Sequence, residues 1–154
     1  ERAYILYKGG LKLLRSLGLS RVHIHNLGYY VVVLKKPYFC TPAKVRQACL
    51  YGSSANAQRA LTGECALSEN IVSSEEMLLS EVGLQQVEEF AAELAKTQPQ
   101  AALQLRQSGY AEMTDHYVVV VPTHVVPNPV VTVGMGDTIS SSAYAMEVIG
   151  QLME

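Results

Sequence analysis

Two runs of apolar, β-branched and aromatic residues limit the possible folds of this chain more than any other feature. Residues 29–34 read Tyr-Tyr-Val-Val-Val-Leu, and residues 117–121 read Tyr-Val-Val-Val-Val. Valine and tyrosine favour strands, and a strand without polar alternation is typically buried on both faces, as in a parallel sheet flanked by helices. The two runs therefore predict an α/β fold with a central, mostly parallel sheet.

The remaining elements follow from spacing and end signals. Thr41-Pro42 is a typical helix start, with threonine as the N-cap and proline at the first helical position. Ser73 and Glu76 have the spacing of a capping box. Further strands are predicted at 21–25 and, as an edge strand or turn, at 111–115. Helices are predicted over 3–17, 42–61, 73–96 and 99–107, and from the glycine turn at 134–136 towards 153.

Composition excludes several classes of function. The chain has 154 residues, enough for one domain with a real core. Its net charge of −2 does not indicate a nucleic-acid partner, and no apolar run reaches the roughly 18 residues that span a bilayer. Three cysteines without C-x-x-C spacing predict free thiols in a reducing cytoplasm rather than disulfides or zinc ligands. Because Glu1 already lies in a helical pattern, no signal peptide is expected.

A glycine turn is the strongest sign of chemistry. Gly134 and Gly136 lead into Asp137 and a helical pattern, after a proline-containing loop that follows the second valine run. Glycines let the backbone approach a ligand closely, and a helix that begins there points free N–H groups at the turn. The motif predicts a site for a phosphate or a developing oxyanion, with Asp137 handling a proton or a metal. On the motif alone, Asp137 fits equally well as an ordinary helix cap.

Two better-known glycine motifs are excluded. A phosphate-binding loop of the Walker type needs a lysine after its last glycine, and a dinucleotide fingerprint needs a third glycine where Ile139 stands. The remaining pattern resembles a known family. Residues 22–30 read V-H-I-H-N-L-G-Y-Y, and residues 118–143 read V-V-V-V-P-T-H-V-V-P-N-P-V-V-T-V-G-M-G-D-T-I-S-S-S-A. In this order along the chain, the two segments resemble two segments of the archaeal ADP-dependent sugar kinases. These are glucokinases and phosphofructokinases of the ribokinase-like superfamily.

The resemblance implies a fold and a reaction. The fold is a ribokinase-like three-layer α/β/α arrangement with a mostly parallel sheet. The reaction is phosphoryl transfer from ADP to a sugar hydroxyl, with Mg²⁺ as cofactor, and 6-phosphofructokinase is favoured over glucokinase. Asp137 would be the general base and a possible metal ligand, and Gly134 and Gly136 would form the anion hole. We expect a glycolytic enzyme of the cytoplasm whose partners are ADP or AMP and fructose 6-phosphate or glucose.

The resemblance also implies a nucleotide pocket. The residues that match its adenine-lining and phosphate-contacting positions are His25, Tyr30, Val118, Val126 and Gly136. Without the resemblance, His25 would more often be a buried structural histidine, and Tyr30 and the valines would be core. His23 is expected to point away from His25 and receives no role. His124 stands where the family pattern V-P-T-x-V-V usually has Arg or Lys, and it would reach a phosphate as a cation only when protonated.

The resemblance covers only the C-terminal portion of much longer proteins. Residues 1–154 would be part of the large nucleotide-binding domain, and the N-terminal part, the lid domain and the acidic N-x-x-E metal motif are absent. The chain alone is therefore expected to be inactive, and it would contact the missing portion. Two alternatives stay open: a truncated, non-catalytic interaction module, and an ATP-dependent ribokinase-like sugar or nucleoside kinase.

Overall fold

The computed structural model of the chain describes residues 2–65 and 77–152. The described residues form five helices and six strands. In chain order they are α1 (Ala3–Ser16), β1 (Arg21–His25), β2 (Tyr29–Lys35), α2 (Pro42–Thr62), β3 (Leu78–Leu79), α3 (Glu81–Ala95), α4 (Pro99–Ser108), β4 (Tyr110–Glu112), β5 (His116–Pro122), β6 (His124–Val125) and α5 (Met135–Leu152).

The main sheet has the strand order β1-β2-β5-β4, and each of these pairings is antiparallel. The prediction of a mostly parallel sheet is therefore wrong for the described residues. The segment 26–28 is the physical reason at one edge, because it is too short for the crossover that parallel strands need and makes a hairpin instead. There the amide of Asn26 donates to the carbonyl of Tyr29 (2.9 Å) and the Asn26 side chain accepts from the amide of Leu27 (2.7 Å).

Helices cover both faces of the sheet, as the unalternating valine runs predicted. Strands β2 and β5 lie side by side in the centre, with Val31 opposite Val120 and Val32 opposite Val119. Val31 and Val120 face a core shared with α1, α3 and α4. Val32 and Val119 face a second core shared with α2 and α5. The result is a three-layer α/β/α arrangement in which these valines have no accessible surface.

The predicted helix ends are mostly confirmed. Thr41 caps α2 by accepting from the amide of Lys44 (3.3 Å), and Gly63, at φ +80°, ends this helix in the left-handed region. The helix predicted from Ser73 begins instead at Glu81, with Ser80 as N-cap, after the short strand β3. Ser73 and Glu76 themselves lie outside the described residues. Within the described ranges, no helix is both long enough and apolar enough to cross a membrane.

The small residues of α2 allow it to pack closely on α5. A Cβ at Gly52 would lie 3.0 Å from the carbonyl oxygen of Ile139 and 3.2 Å from the amide nitrogen of Ala143. A larger residue there would have to push the two helices apart. The close approach brings the second half of α2 alongside the first turns of α5, where the glycine motif lies.

A buried ion pair joins α5 to β1. The side chain of Glu147 has no accessible surface, and that of Arg21 retains 13%. The guanidinium of Arg21 donates to Glu147 from Nη2 (2.8 Å) and from Nε (3.2 Å), and the hydroxyl of Tyr38 donates to the other carboxylate oxygen (2.8 Å). With several donors on one carboxylate, the charge of Glu147 is well compensated within the core.

We expect Glu147→Ala to lower the free energy of unfolding by about 3 kcal/mol or more, because it leaves the Arg21 charge buried without its partner. Urea unfolding at pH 7 measures the effect. Glu112→Ala is the matched control, because Glu112 pairs with Lys36 at the surface, where its side chain is 57% exposed, and should cost about 1 kcal/mol or less. Equal losses in the two variants would contradict the assigned role of the buried pair.

Candidate functional site

A cleft of about 620 Å³ opens where four segments of the chain meet. The hairpin between β1 and β2 forms one wall, one side of α2 forms the floor, the segment after β5 forms the opposite wall, and the glycine turn closes one end. Its lining residues are His25, Asn26, Leu27, Tyr30, Asn56, Ala57, Ala60, Thr123, His124, Val125, Val126, Pro129, Thr132, Met135, Gly136 and Ile139.

The glycine turn has the geometry that its sequence predicts. Gly134 has φ +73°, a conformation that favours glycine. Helix α5 begins at Met135, one residue inside the motif, so Gly136 and Asp137 both lie in its first turn. Gly136 is needed for a second reason: a Cβ there would lie 3.0 Å from Cε1 and 3.3 Å from Nε2 of the His25 ring. The absence of a side chain at position 136 therefore lets the His25 ring sit against the helix N-terminus.

Asp137 projects its carboxylate into solvent from the first turn of α5. No cation of the described residues forms an ion pair with it. The free amides at the start of the helix and the positive end of its dipole both favour an anion beside this turn. A carboxylate in this position can accept a proton from a hydroxyl group held next to a bound phosphate.

Arg59 fixes the turn from the side and was missed in the sequence. Its Nη1 donates to the carbonyl of Gly134 (3.1 Å) and to the hydroxyl of Thr138 (2.6 Å), and that hydroxyl donates to the same carbonyl (3.0 Å). The guanidinium thus ties the last turns of α2 to the first turn of α5. It also places a positive charge near the predicted anion site.

The structure brings four of the five predicted nucleotide-pocket residues together. His25, Tyr30, Val126 and Gly136 all line the cleft. Tyr30 is almost fully buried, with 1% of its surface accessible. Burial raises the pKa of its hydroxyl. Tyr30 therefore offers its ring and not a charge to a ligand.

Val118 is the exception. It has no accessible surface and packs in the core on the α1, α3 and α4 side of the sheet. The cleft opens on the other side, against α2 and α5, so Val118 does not line it. Its neighbours Val119 and Val121 face the correct side but lie in the core beneath the cleft.

His124 lines the cleft as a neutral group. Its amide donates to Oγ of Ser53 (2.8 Å), and its Nδ1 lies 3.0 Å from the same oxygen. Burial lowers the pKa of His124 below its usual 6.5, so the ring is uncharged at neutral pH. It does not supply the cation that Arg or Lys would supply at this position of the family pattern.

The expectation that His23 points away from His25 is wrong, because residues separated by one position lie on the same face of a strand. The two rings are 6.3 Å apart, and the His23 ring packs edge-on against Tyr30 at 5.3 Å. Nδ1 of His23 lies 3.4 Å from Nη2 of Arg21, which can only donate, so His23 accepts there and carries its proton on Nε2. Burial is the main cause that lowers the pKa of His23 to about 3, followed by the charges of Arg21 and His25.

Comparison with known proteins assigns the chain to a family. A family model described as "ADP-specific Phosphofructokinase/Glucokinase conserved region" matches residues 2–146. The chain belongs to this family. An ADP-specific phosphofructokinase of Methanosarcina acetivorans is 34% identical over 142 residues, which make up 90% of this chain and 28% of that protein. An ADP-dependent glucose/glucosamine kinase of Pyrococcus abyssi is 32% identical over 138 residues, or 90% of this chain and 27% of that protein.

Solved structures of this family share the fold. The last common ancestor of ADP-dependent phosphofructokinases from Methanosarcinales superposes with a TM-score of 0.86 at 36% identity, over 93% of this chain and 29% of that one. An ADP-dependent kinase in complex with fructose-6-phosphate and ADPbetaS gives the same TM-score and identity, over 93% of this chain and 31% of that one. This chain thus spans less than a third of the length of the relatives it matches.

The neutral, partly buried His23 should make the stability of the chain depend on pH. The pKa of its ring is about 3 in the folded chain, against the ordinary histidine value of 6.5 in the unfolded chain, so the unfolded state takes up a proton first. The stability that His23 provides is complete above pH 6.5 and is lost as the pH falls towards 3. Between pH 7 and pH 5 we expect a loss of about 2 kcal/mol, at 1.36 kcal/mol per unit of pH for one proton.

Urea unfolding of the wild type and of His23→Gln at both pH values isolates this contribution, because the other histidines contribute equally to both proteins. The variant should lose about 2 kcal/mol less than the wild type between pH 7 and pH 5. Parallel losses in the two proteins would show that His23 is already charged at pH 5.

Proposed function

We propose that this chain forms the nucleotide-binding and proton-accepting part of an ADP-dependent sugar kinase, with 6-phosphofructokinase favoured over glucokinase. One observation carries the proposal: the cleft that holds His25, Tyr30 and Val126 ends at the glycine turn, with Asp137 beside it. A nucleotide bound along this cleft would have its base between the hairpin and the opposite wall. Its phosphates would then lie against the N-terminus of α5.

The residues of the turn suit phosphoryl transfer. The first amides of α5 can donate to the oxygens of the terminal phosphoryl group, whose negative charge the helix dipole also favours. Asp137 would accept the proton of the sugar hydroxyl as that oxygen bonds to the phosphorus and AMP leaves. Such transfers depend mainly on positioning and electrostatic stabilisation, so the rigid setting of the turn by Arg59 and Thr138 is part of the mechanism.

Mg²⁺ is proposed as the cofactor. The exposed carboxylate of Asp137 is a hard oxygen ligand of the kind that Mg²⁺ binds together with substrate phosphates and water. No group of three or more His, Cys, Asp or Glu side chains converges within residues 2–65 and 77–152, so this chain would supply one carboxylate and the phosphates would supply further ligands. When bound, the ion neutralises charge on the transferring phosphoryl group.

The nature of the phosphoryl donor tests the proposal. In a full-length protein that contains this chain, we expect ADP to support phosphorylation of fructose 6-phosphate with release of AMP, and glucose to react more slowly. ATP should support little turnover. A coupled assay with each donor and each sugar measures this, and ATP-dependent turnover that matches or exceeds that with ADP would favour the ribokinase-like alternative.

Asp137→Asn tests the role of the carboxylate. We expect kcat to fall by at least ~10²-fold, because the amide cannot accept the hydroxyl proton, while ADP affinity stays close to that of the wild type. If Asp137 only capped the helix, the variant would lose about 1 kcal/mol or less of stability and keep its turnover. Steady-state kinetics and a melting curve on the same preparation separate the two roles.

A further inference from the structure

The ring of His124 offers a hydrogen-bond donor to the cleft. His124 lies on β6, lines the cleft and is half-buried. Its Nε2 atom has no hydrogen-bond partner among the described residues, and unlike Nε2 of His23 it is not enclosed by the protein. An accessible polar atom without a partner, in the wall of a cleft, is one of the few groups that can orient a ligand there.

The neighbouring serines determine which ring nitrogen of His124 carries the proton. The hydroxyl oxygen of Ser53 accepts from the backbone amide of His124 (2.8 Å) and lies 3.0 Å from Nδ1 of its ring. A hydroxyl that accepts in this way still has its own proton to donate, and Nδ1 lies within reach of it. The hydroxyl of Ser54 is 3.4 Å from the same nitrogen. With two hydroxyls beside it, Nδ1 acts as the acceptor and the ring proton is on Nε2.

The ring is a neutral donor. Burial lowers the pKa of His124 below its usual 6.5, so at neutral pH the ring has a single N–H and no charge. Phosphate oxygens are bound most strongly by cationic donors and by helix N-termini. An uncharged N–H in a partly buried wall instead suits an uncharged acceptor, such as a ring nitrogen of a nucleotide base.

The position of His124 along the cleft also indicates the base. Arg59 contacts the glycine turn, whereas His124 contacts Ser53, which lies six residues earlier on α2. At 1.5 Å per residue, the two positions are about 9 Å apart along the helix axis. Gly52, next to Ser53, packs against Ala143, well inside α5 and away from the first turn that would bind phosphate. His124 therefore lies at the end of the cleft that is remote from the phosphates.

We propose that His124 is a specificity-determining residue whose Nε2–H donates a hydrogen bond to a ring nitrogen of the purine base. The inference rests on the proposed function, because it assumes that the cleft binds an adenine nucleotide with its base between the hairpin and the opposite wall, on which His124 lies. An analogue with a carbon in place of the contacted nitrogen presents a C–H group to the donor. The site would thus reject that analogue.

Calorimetric titration of the wild type is the first test, in a full-length protein that contains this chain. The ligands are ADP and its 1-deaza, 3-deaza and 7-deaza analogues. We expect at least one analogue to bind about tenfold or more weakly than ADP, since a site built to bond one partner rejects the analogue that lacks it. Equal affinities for ADP and all three analogues would overturn the proposal.

His124→Phe then assigns the effect to this side chain, because it keeps a flat ring and removes the donor. The variant should bind ADP about tenfold more weakly than the wild type. It should also bind one of the rejected analogues as tightly as it binds ADP, and its loss of affinity should be the same for ADP and AMP. A variant that keeps every preference of the wild type would overturn the proposal. So would a loss confined to ADP, which would place the contact on the terminal phosphate.

Leu79→Ala is the matched control. Leu79 pairs with His124 between β3 and β6, but it does not line the cleft. The affinities of this variant for ADP, AMP and the analogues should stay within about threefold of the wild type. If Leu79→Ala changed them as much as His124→Phe does, the effect would belong to the strand pair and not to the His124 donor, and the proposal would fail.

The outcomes separate this inference from the proposed function. If neither ADP nor AMP binds to the wild type, the proposed function fails. If ADP binds and the three analogues bind equally well, only the role of His124 fails. Melting curves verify that the variants are folded; if His124→Phe does not fold, the analogue series on the wild type decides between the outcomes already stated.

Discussion

The pairing of β2 with β5 is the constraint on which the rest of the structure depends. Both strands are buried on both faces, so the chain must provide a helical layer on each side. Each layer uses alternate valines of the same two strands as its core. Because the two strands are antiparallel, β2 begins and β5 ends at the same edge of the sheet, where Tyr29 pairs with Pro122. That edge places the β1–β2 hairpin and the segment after β5 opposite each other, and the cleft forms between them.

Local chemistry made many elements predictable from the sequence. The Thr41-Pro42 start, the glycine ends and the two valine runs act through short-range backbone preferences, which one sequence contains in full. Strand direction was not predictable in the same way. Burial on both faces of a strand occurs in parallel sheets, but nothing in it excludes antiparallel neighbours, and the short turn at 26–28 is the stronger indicator of direction.

The site was predicted where the sequence has its own pattern and missed where it does not. The glycine turn is recognisable from the spacing of its two glycines and Asp137. His25, Tyr30 and Val126 belong to segments that resemble the family. Val118 was predicted to line the pocket but lies on the opposite face of the sheet. A strand of consecutive valines has no polar residue that shows which of its faces points towards the pocket. Asn56 and Arg59 lie in a helix of small residues, and this composition indicates close packing rather than a binding site. The spacing of Ser53, Asn56, Ala57 and Ala60 puts them on one side of that helix, and this was the available signal.

Two contacts between β1 and α5 fix the distance between two groups of the candidate site. Arg21 meets Glu147 at one end and His25 meets Gly136 at the other. The strand spans about 14 Å between these points at 3.4 Å per residue, and the helix about 16 Å at 1.5 Å per residue. The strand segment and the helix segment between the two contacts are therefore similar in length and are held together at both ends. These two contacts fix the distance from the His25 ring, which would contact the base, to the Asp137 carboxylate, which would take the proton. One residue inserted between the contacts, in β1 or in α5, would misalign the two groups.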